Sequence, residues 1–128
     1  MAELPEEVRA LFDAPNYVTV TSLNADGGPQ NTVVWARTDG DDVLFSTVSG
    51  RQKPRNFARD PRTSLLVIDP DNPYRYAEVR GRVTMDEDPD GALIQELSRK
   101  YTGRPWQDAP GTRRLIVRVT PERVILRG

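Results

Sequence analysis

Two segments of this chain, Tyr17–Leu23 and Arg75–Met85, alternate apolar and polar residues with a period of two, further short runs are β-prone, and three stretches switch to a helical period. Tyr17–Leu23 (YVTVTSL) and Pro29–Arg37 (PQNTVVWAR) flank the turn signal Asn24-Ala25-Asp26-Gly27-Gly28, which predicts a β-hairpin. Asp39-Gly40-Asp41-Asp42 is a second tight turn and leads into the strand Val43–Val48. Thr63–Ile68 is mostly apolar and reads as a central strand, while Arg75–Met85 alternates again. Arg113–Val119 and Arg123–Leu126 complete the strands around Thr120-Pro121-Glu122. The helical stretches are Pro5–Asp13, Lys53–Arg59 and Pro89–Tyr101. The first sets Val8, Leu11 and Phe12 on one face; the last carries Leu93, Ile94, Leu97 and Tyr101 at helical spacing. Asp60-Pro61 ends the middle helix, because the residue before a proline resists helical geometry. About six or seven antiparallel strands with three helices predict a mainly β barrel or sandwich, formed as one domain over residues 1–128. No strand is followed by a G-x-G-x-x-G or Walker loop, so the common nucleotide cradles are absent.

Composition narrows the chemistry. The 128 residues hold neither Cys nor His, which removes disulfides, thiolate nucleophiles, the commonest general base and the commonest metal ligand. No metal site is expected, and an enzyme built from these residues takes its chemistry from a cofactor. A net charge of −1 argues against a general nucleic-acid binder, and no apolar run reaches membrane-spanning length. A cytoplasmic protein is the expectation. Small domains with this much polar surface often bury further area by pairing, so a homo-oligomer is expected too.

One segment departs from the average. Leu44–Pro61 (LFSTVSGRQKPRNFARDP) runs from a strand through Ser49-Gly50 into a basic helix. Arg51, Lys53, Arg55, Arg59 and Arg62 face only Asp60 there. Lys53 is one of two lysines in the chain, the other being Lys100. Hydroxyls, a glycine turn and cations at a helix start suit a phosphate, because free N–H groups and the helix dipole point the same way. The competing reading is a solvated basic helix. Ser46 and Thr47 also simply fit a pleat, Trp35 suits core or interface packing, and Trp106 suits either a pocket cap or surface packing. Tyr74 and Tyr76 share a strand start, where packing is the default, and Arg80 and Arg82 read as an exposed sheet face. Asp86–Asp90 is an acidic cluster that favours the following helix dipole.

These parts, in this order, resemble the pyridoxamine 5′-phosphate oxidase-like flavin-binding split β-barrels, and within them the small actinobacterial branch that uses the deazaflavin coenzyme F420. The resemblance rests on Ser46-Thr47 through Lys53 to Arg55-Asn56-Phe57 and Asp60-Pro61. Gly28-Pro29 through Trp35 and Val79-Arg80-Gly81-Arg82-Val83 carry the remainder. It implies a six-stranded Greek-key barrel, a homodimer and a cofactor site at the interface. It implies that Arg51 and Lys53 hold the cofactor phosphate beside Arg55, with Ser49 and Gly50 lining the turn. Ser46 and Thr47 would meet the ring and ribityl chain, Gln30, Asn31, Thr32 and Val33 would lie beside the ring, and Tyr74 and Tyr76 would come from the neighbouring subunit. The implied activity is hydride transfer from reduced F420 to an enone, quinone or tetrapyrrole, with solvent or Tyr76 supplying a proton. FMN in place of F420, or a carrier that binds F420 without turnover, are the alternatives. The chain lacks the C-terminal substrate segment of pyridoxamine phosphate oxidase itself, so pyridoxine chemistry is not expected.

Overall fold

The computed structural model describes residues 2–128, with helices α1 (Glu6–Asp13), α2 (Gln52–Arg59) and α3 (Ala92–Thr102). Its strands are β1 (Val18–Leu23), β2 (Pro29–Val34), β3 (Ala36–Asp39), β4 (Asp42–Val48), β5 (Arg62–Ile68), β6 (Tyr76–Glu87) and β7 (Arg114–Arg127). Every pairing is antiparallel, in the order β2-β1-β5-β6-β7-β4-β3. The two edge strands are neighbours in the chain, separated by Trp35 alone. Residues 29–39 therefore act as one bent strand that belongs to both edges, and the sheet curls into a six-stranded barrel. β5 returns through α2 to lie beside β1, which makes the connection a Greek key.

The alternation predicted from sequence fills the barrel. Val18, Val20, Val43, Phe45, Leu65, Val67, Ala77, Val79, Val117 and Val119 all point inward and are buried. α1 closes one mouth with Val8, Leu11 and Phe12. α2 lies at the other mouth, where Phe57 packs on Phe45 with ring centroids 6.4 Å apart. α3 rests outside on β4 through Leu93, Leu97 and Leu44.

Three expectations shift at element ends. The last two predicted strands form one continuous β7, because the register slips between Arg80 and Gly81 and leaves Glu122 without a partner on β6. Gly81 is needed at that slip, since a Cβ there would lie 2.2 Å from the Thr120 carbonyl oxygen. The longest helix begins at Ala92 rather than Pro89. Gly91 takes a left-handed φ of 63°, and the buried Asp88 carboxylate accepts the Ala92 and Leu93 N–H groups at 3.1 and 3.0 Å. The predicted single strand 29–37 breaks at Trp35. Beyond that break β3 stays with β4 while β2 stays with β1.

Candidate functional site

The break at Trp35 opens the barrel wall. β3 leaves β4 at the Ala36–Phe45 pair, so Ser46–Val48 have strand partners only on β7, and β2 pairs only with β1. Between these two unpaired edges lies a cavity of about 420 Å³. Val33, Val34 and Trp35 line one side and Ser46 and Thr47 the other. Arg51 and Lys53 enter from the start of α2, Ile94 and Leu97 from α3, with Trp106, Arg114 and Tyr17 completing the wall. No carboxylate is among them.

One end is cationic. Gly50 takes φ of 92°, a turn that other residues adopt only under strain, and the chain then enters α2 with Arg51 at its N-cap. Among the described residues no carboxylate lies within ion-pairing distance of Arg51 or Lys53. Lys53 Nζ sits 5.4 Å from the centroid of the Phe45 ring. Burial, helped by the positive charge of Arg51, brings its pKa down to about 8. The Ser46 hydroxyl oxygen is buried beside this cavity with no hydrogen-bond partner; that of Thr32 is also buried without a partner, but Thr32 is off the cavity lining. A lone buried hydroxyl carries a desolvation cost that a bound polar group would relieve.

The helix that presents these cations is fixed from below. Asn56 is fully buried. It donates to Ser22 Oγ and Asn24 Oδ1 at 3.0 Å each, and accepts from Gln52 at 2.7 Å and Arg59 at 3.0 Å. A single amide thus ties α2 to the β1–β2 hairpin. The other end of the cavity is aromatic. Trp35 stacks on Tyr101 at 5.4 Å, meets Trp106 edge-on at 5.7 Å, and Tyr101 continues to Tyr17 at 6.1 Å.

Of the residues singled out by sequence, Val33, Ser46, Thr47, Arg51 and Lys53 meet in this cavity. Ser49 lies on a neighbouring concavity with Arg113 and Arg114, and Gly50 shapes the turn between them. Arg55 is exposed and donates to Gln52 at 2.9 Å. Gln30 faces the outer side of α2, with its Oε1 3.4 Å from Asn56 Nδ2, and Asn31 accepts from Thr21 Oγ1 at 2.5 Å. Tyr74 and Tyr76 lie at the β5–β6 connection, by the α1 mouth, off the lining of this protomer's cavity. Arg80 and Arg82 are exposed, as expected, and pair with Glu78 and Glu122. Tyr17, Ile94, Leu97 and Arg114 escaped sequence reasoning. Ile94 and Leu97 carry a signal in hindsight, since a helix with a wide apolar face covers more than the strand beneath it.

The fold defines the class: an antiparallel split β-barrel with a cavity in its split. Residues 4–128 match the family described as pyridoxamine 5′-phosphate oxidase, and the chain belongs to that family. Among solved structures, a protein named F420 reductase is 37% identical, over 95% of this chain and 98% of its own, with a TM-score of 0.86. A conserved hypothetical protein of Mycobacterium tuberculosis is 23% identical over 99% of this chain and 86% of its own, with a TM-score of 0.79. General Stress Protein 26 of Bacillus anthracis shares the fold at 14% identity and a TM-score of 0.73, over 95% of this chain and 92% of its own. The chain is thus an oxidoreductase-type protein of a flavin- or deazaflavin-binding fold. Among the described residues no helix is long and apolar enough to cross a membrane, and no cluster of acidic residues is arranged to hold a metal.

Proposed function

We propose that this protein binds reduced coenzyme F420 and passes a hydride from it to an electrophilic small molecule of the enone, quinone or tetrapyrrole class. The observation that carries the reading is one cavity joining two cations outside any ion pair and a partnerless buried hydroxyl to an apolar aromatic wall. The charge and hydroxyl at one end fit a phosphate-bearing cofactor, and the flat apolar surface at the other fits a conjugated ring brought beside it. Likeness to a protein named F420 reductase, over nearly the full length of both chains, favours the deazaflavin. FMN is the competing cofactor, because Arg51 and Lys53 recognise a phosphate without regard to the ring it serves.

When bound, the deazaflavin supplies a hydride donor that does not readily form radicals. The chain's own part is binding, orientation and exclusion of water. Arg51 and Lys53 neutralise the phosphate, and Ser46 gains the hydrogen-bond partner it lacks. Val33, Ile94 and Leu97 would keep water from the reacting atoms. The cavity lining holds no carboxylate and Tyr76 lies off it, so within one protomer the proton for the reduced product comes from solvent or from a lining donor such as Tyr17 or Lys53. We infer that a second copy completes the site, since Tyr17 and Val33 border the cavity yet are 69% and 66% exposed. On that reading the partner's Tyr74 and Tyr76 are candidates for the missing wall, in a cytoplasmic homodimer.

The test is oxidation of reduced F420 by a panel of enones, quinones and tetrapyrroles. Turnover with at least one class supports the reading. Tight binding without turnover makes the protein a carrier, and turnover with reduced FMN alone replaces the cofactor.

A further inference from the structure

We propose that the aromatic end of the cavity is a seat for a flat conjugated ring, with Trp106 as its wall and Asp108 and Arg114 as the positioning residues that hold that wall. The proposal rests on the reading above only in naming the hydride acceptor as the owner of that ring.

Trp106 belongs to the segment 103–113 between α3 and β7, which contains no helix or strand. A large side chain on such a segment would ordinarily be mobile. Here a set of bonds converges on it. The indole Nε1 donates to Asp108 Oδ1 at 2.8 Å. The same carboxylate accepts Arg114 Nη2 at 2.8 Å and Nε at 3.0 Å, a two-pronged pairing. The Arg114 side chain is only 8% exposed, and its guanidinium lies 5.4 Å from the centroid of the Trp106 ring. From α3, Gln95 accepts the Trp106 N–H at 2.9 Å and donates to the Trp106 carbonyl. Ser98 donates to the Arg104 carbonyl at 2.8 Å, pinning the segment's start. Strand β7, helix α3 and the segment itself therefore all fix one indole.

The direction in which it is fixed matters. Trp106 stands edge-on to Trp35, with an interplanar angle of 89°, and Trp35 is itself stacked on Tyr101 at 16°. Two perpendicular indoles, with Ile94 and Leu97 beside them, form an apolar corner. Asp108 neutralises Arg114, and the Arg114 guanidinium in turn holds the Asp108 carboxyl below the usual carboxylate range. The Asp108–Arg114 pair thus leaves little net charge at the corner; Arg51 also acts on Asp108, and Lys53 carries the charge of the cationic end. Flat π systems gain from offset or edge contacts of this kind, and a bulky saturated molecule does not.

The experiment is calorimetric titration with two probes, menadione for the aromatic corner and inorganic phosphate for the cationic end, followed as the ratio of the two affinities. Trp106→Leu is expected to lower the menadione-to-phosphate ratio about tenfold, and Asp108→Asn to lower it in the same direction. Trp106→Phe and Asp108→Glu should recover most of the loss, while Lys53→Ala shifts the ratio the opposite way. An unchanged ratio in Trp106→Leu overturns the proposal, and so does a parallel loss of both probes, which marks the segment as structural only. Failure of the wild type to bind menadione overturns it as well. F420 titrated alongside separates the two claims. A protein that holds menadione through Trp106 but ignores F420 keeps the seat and loses the deazaflavin reading.

Discussion

Lys53 is asked to do two opposed things at once. Its ammonium must be charged to hold an anion, yet it is half-buried over the Phe45 ring with no carboxylate to offset the lost hydration. Free lysine keeps its proton to about 10.5, whereas this one gives it up near 8. Phosphate binding favours the charged form, so affinity for inorganic phosphate or a phosphorylated cofactor is expected to fall as pH rises through about 8. An ordinary lysine would hold affinity up to about 10. Isothermal titrations at a series of pH values in buffers of different ionisation heat will show that binding takes up a proton in this window. Stability runs the other way. Between about 8 and 10.5 the unfolded chain holds the lysine proton and the folded chain does not, so wild-type stability rises with pH across that range. Lys53→Met removes the penalty. Its melting temperature should exceed that of the wild type at neutral pH, and the gap should close by pH ~10. The same variant should lose phosphate affinity, the usual exchange of stability for function.

At the scale of elements, the site depends on how α2 is held. Asn56 is the anchor: its removal leaves the buried Ser22 hydroxyl without its donor and breaks the part-buried bonds to Asn24 and from Gln52 and Arg59. Asn56→Ala should therefore cost about 2–3 kcal/mol of unfolding free energy. Because it frees the helix that carries Arg51 and Lys53, it should also weaken anion binding, although it touches no ligand. Urea unfolding and phosphate titration of the variant check both effects. The β1–β2 hairpin, the basic helix and the inward alternation were legible in the sequence because their signals are local: a turn pair, a charge run, a period of two. The cationic end of the site was legible for the same reason, as Ser46 through Lys53 lie within a few residues of one another. The aromatic end was legible only at Trp106, read as either a pocket cap or surface packing. Tyr17, Trp35, Leu97, Trp106 and Arg114 come from separate segments and meet only after α3 docks on β4. The break at Trp35 was hidden too, since PQNTVVWAR contains no Gly or Pro after Pro29 and only the change of partner strand divides it. The continuous β7 was masked by Pro121. Facing Gly81 at the register slip, that proline sits at a bulge, where strands tolerate its missing N–H.

For the molecule as a whole, a barrel whose one bent strand serves both edges has a built-in gap, and the gap is the cavity. Its rim carries apolar surface a lone protomer would leave wet: Tyr17 and Val33 beside the cavity, with Ile68 further along the same sheet. Val33→Asp is predicted to convert a dimer into monomers by light scattering and to weaken cofactor binding in the same preparation. A monomeric wild type, or a charged variant that stays dimeric, would remove the second copy from the site. The most direct test of the central claim is fluorescence titration of the wild type and Lys53→Ala with coenzyme F420 and, separately, FMN. F420 is expected to bind in preference to FMN, and that binding to be lost in Lys53→Ala. Undiminished F420 binding in Lys53→Ala, or binding of neither cofactor by the wild type, would contradict it.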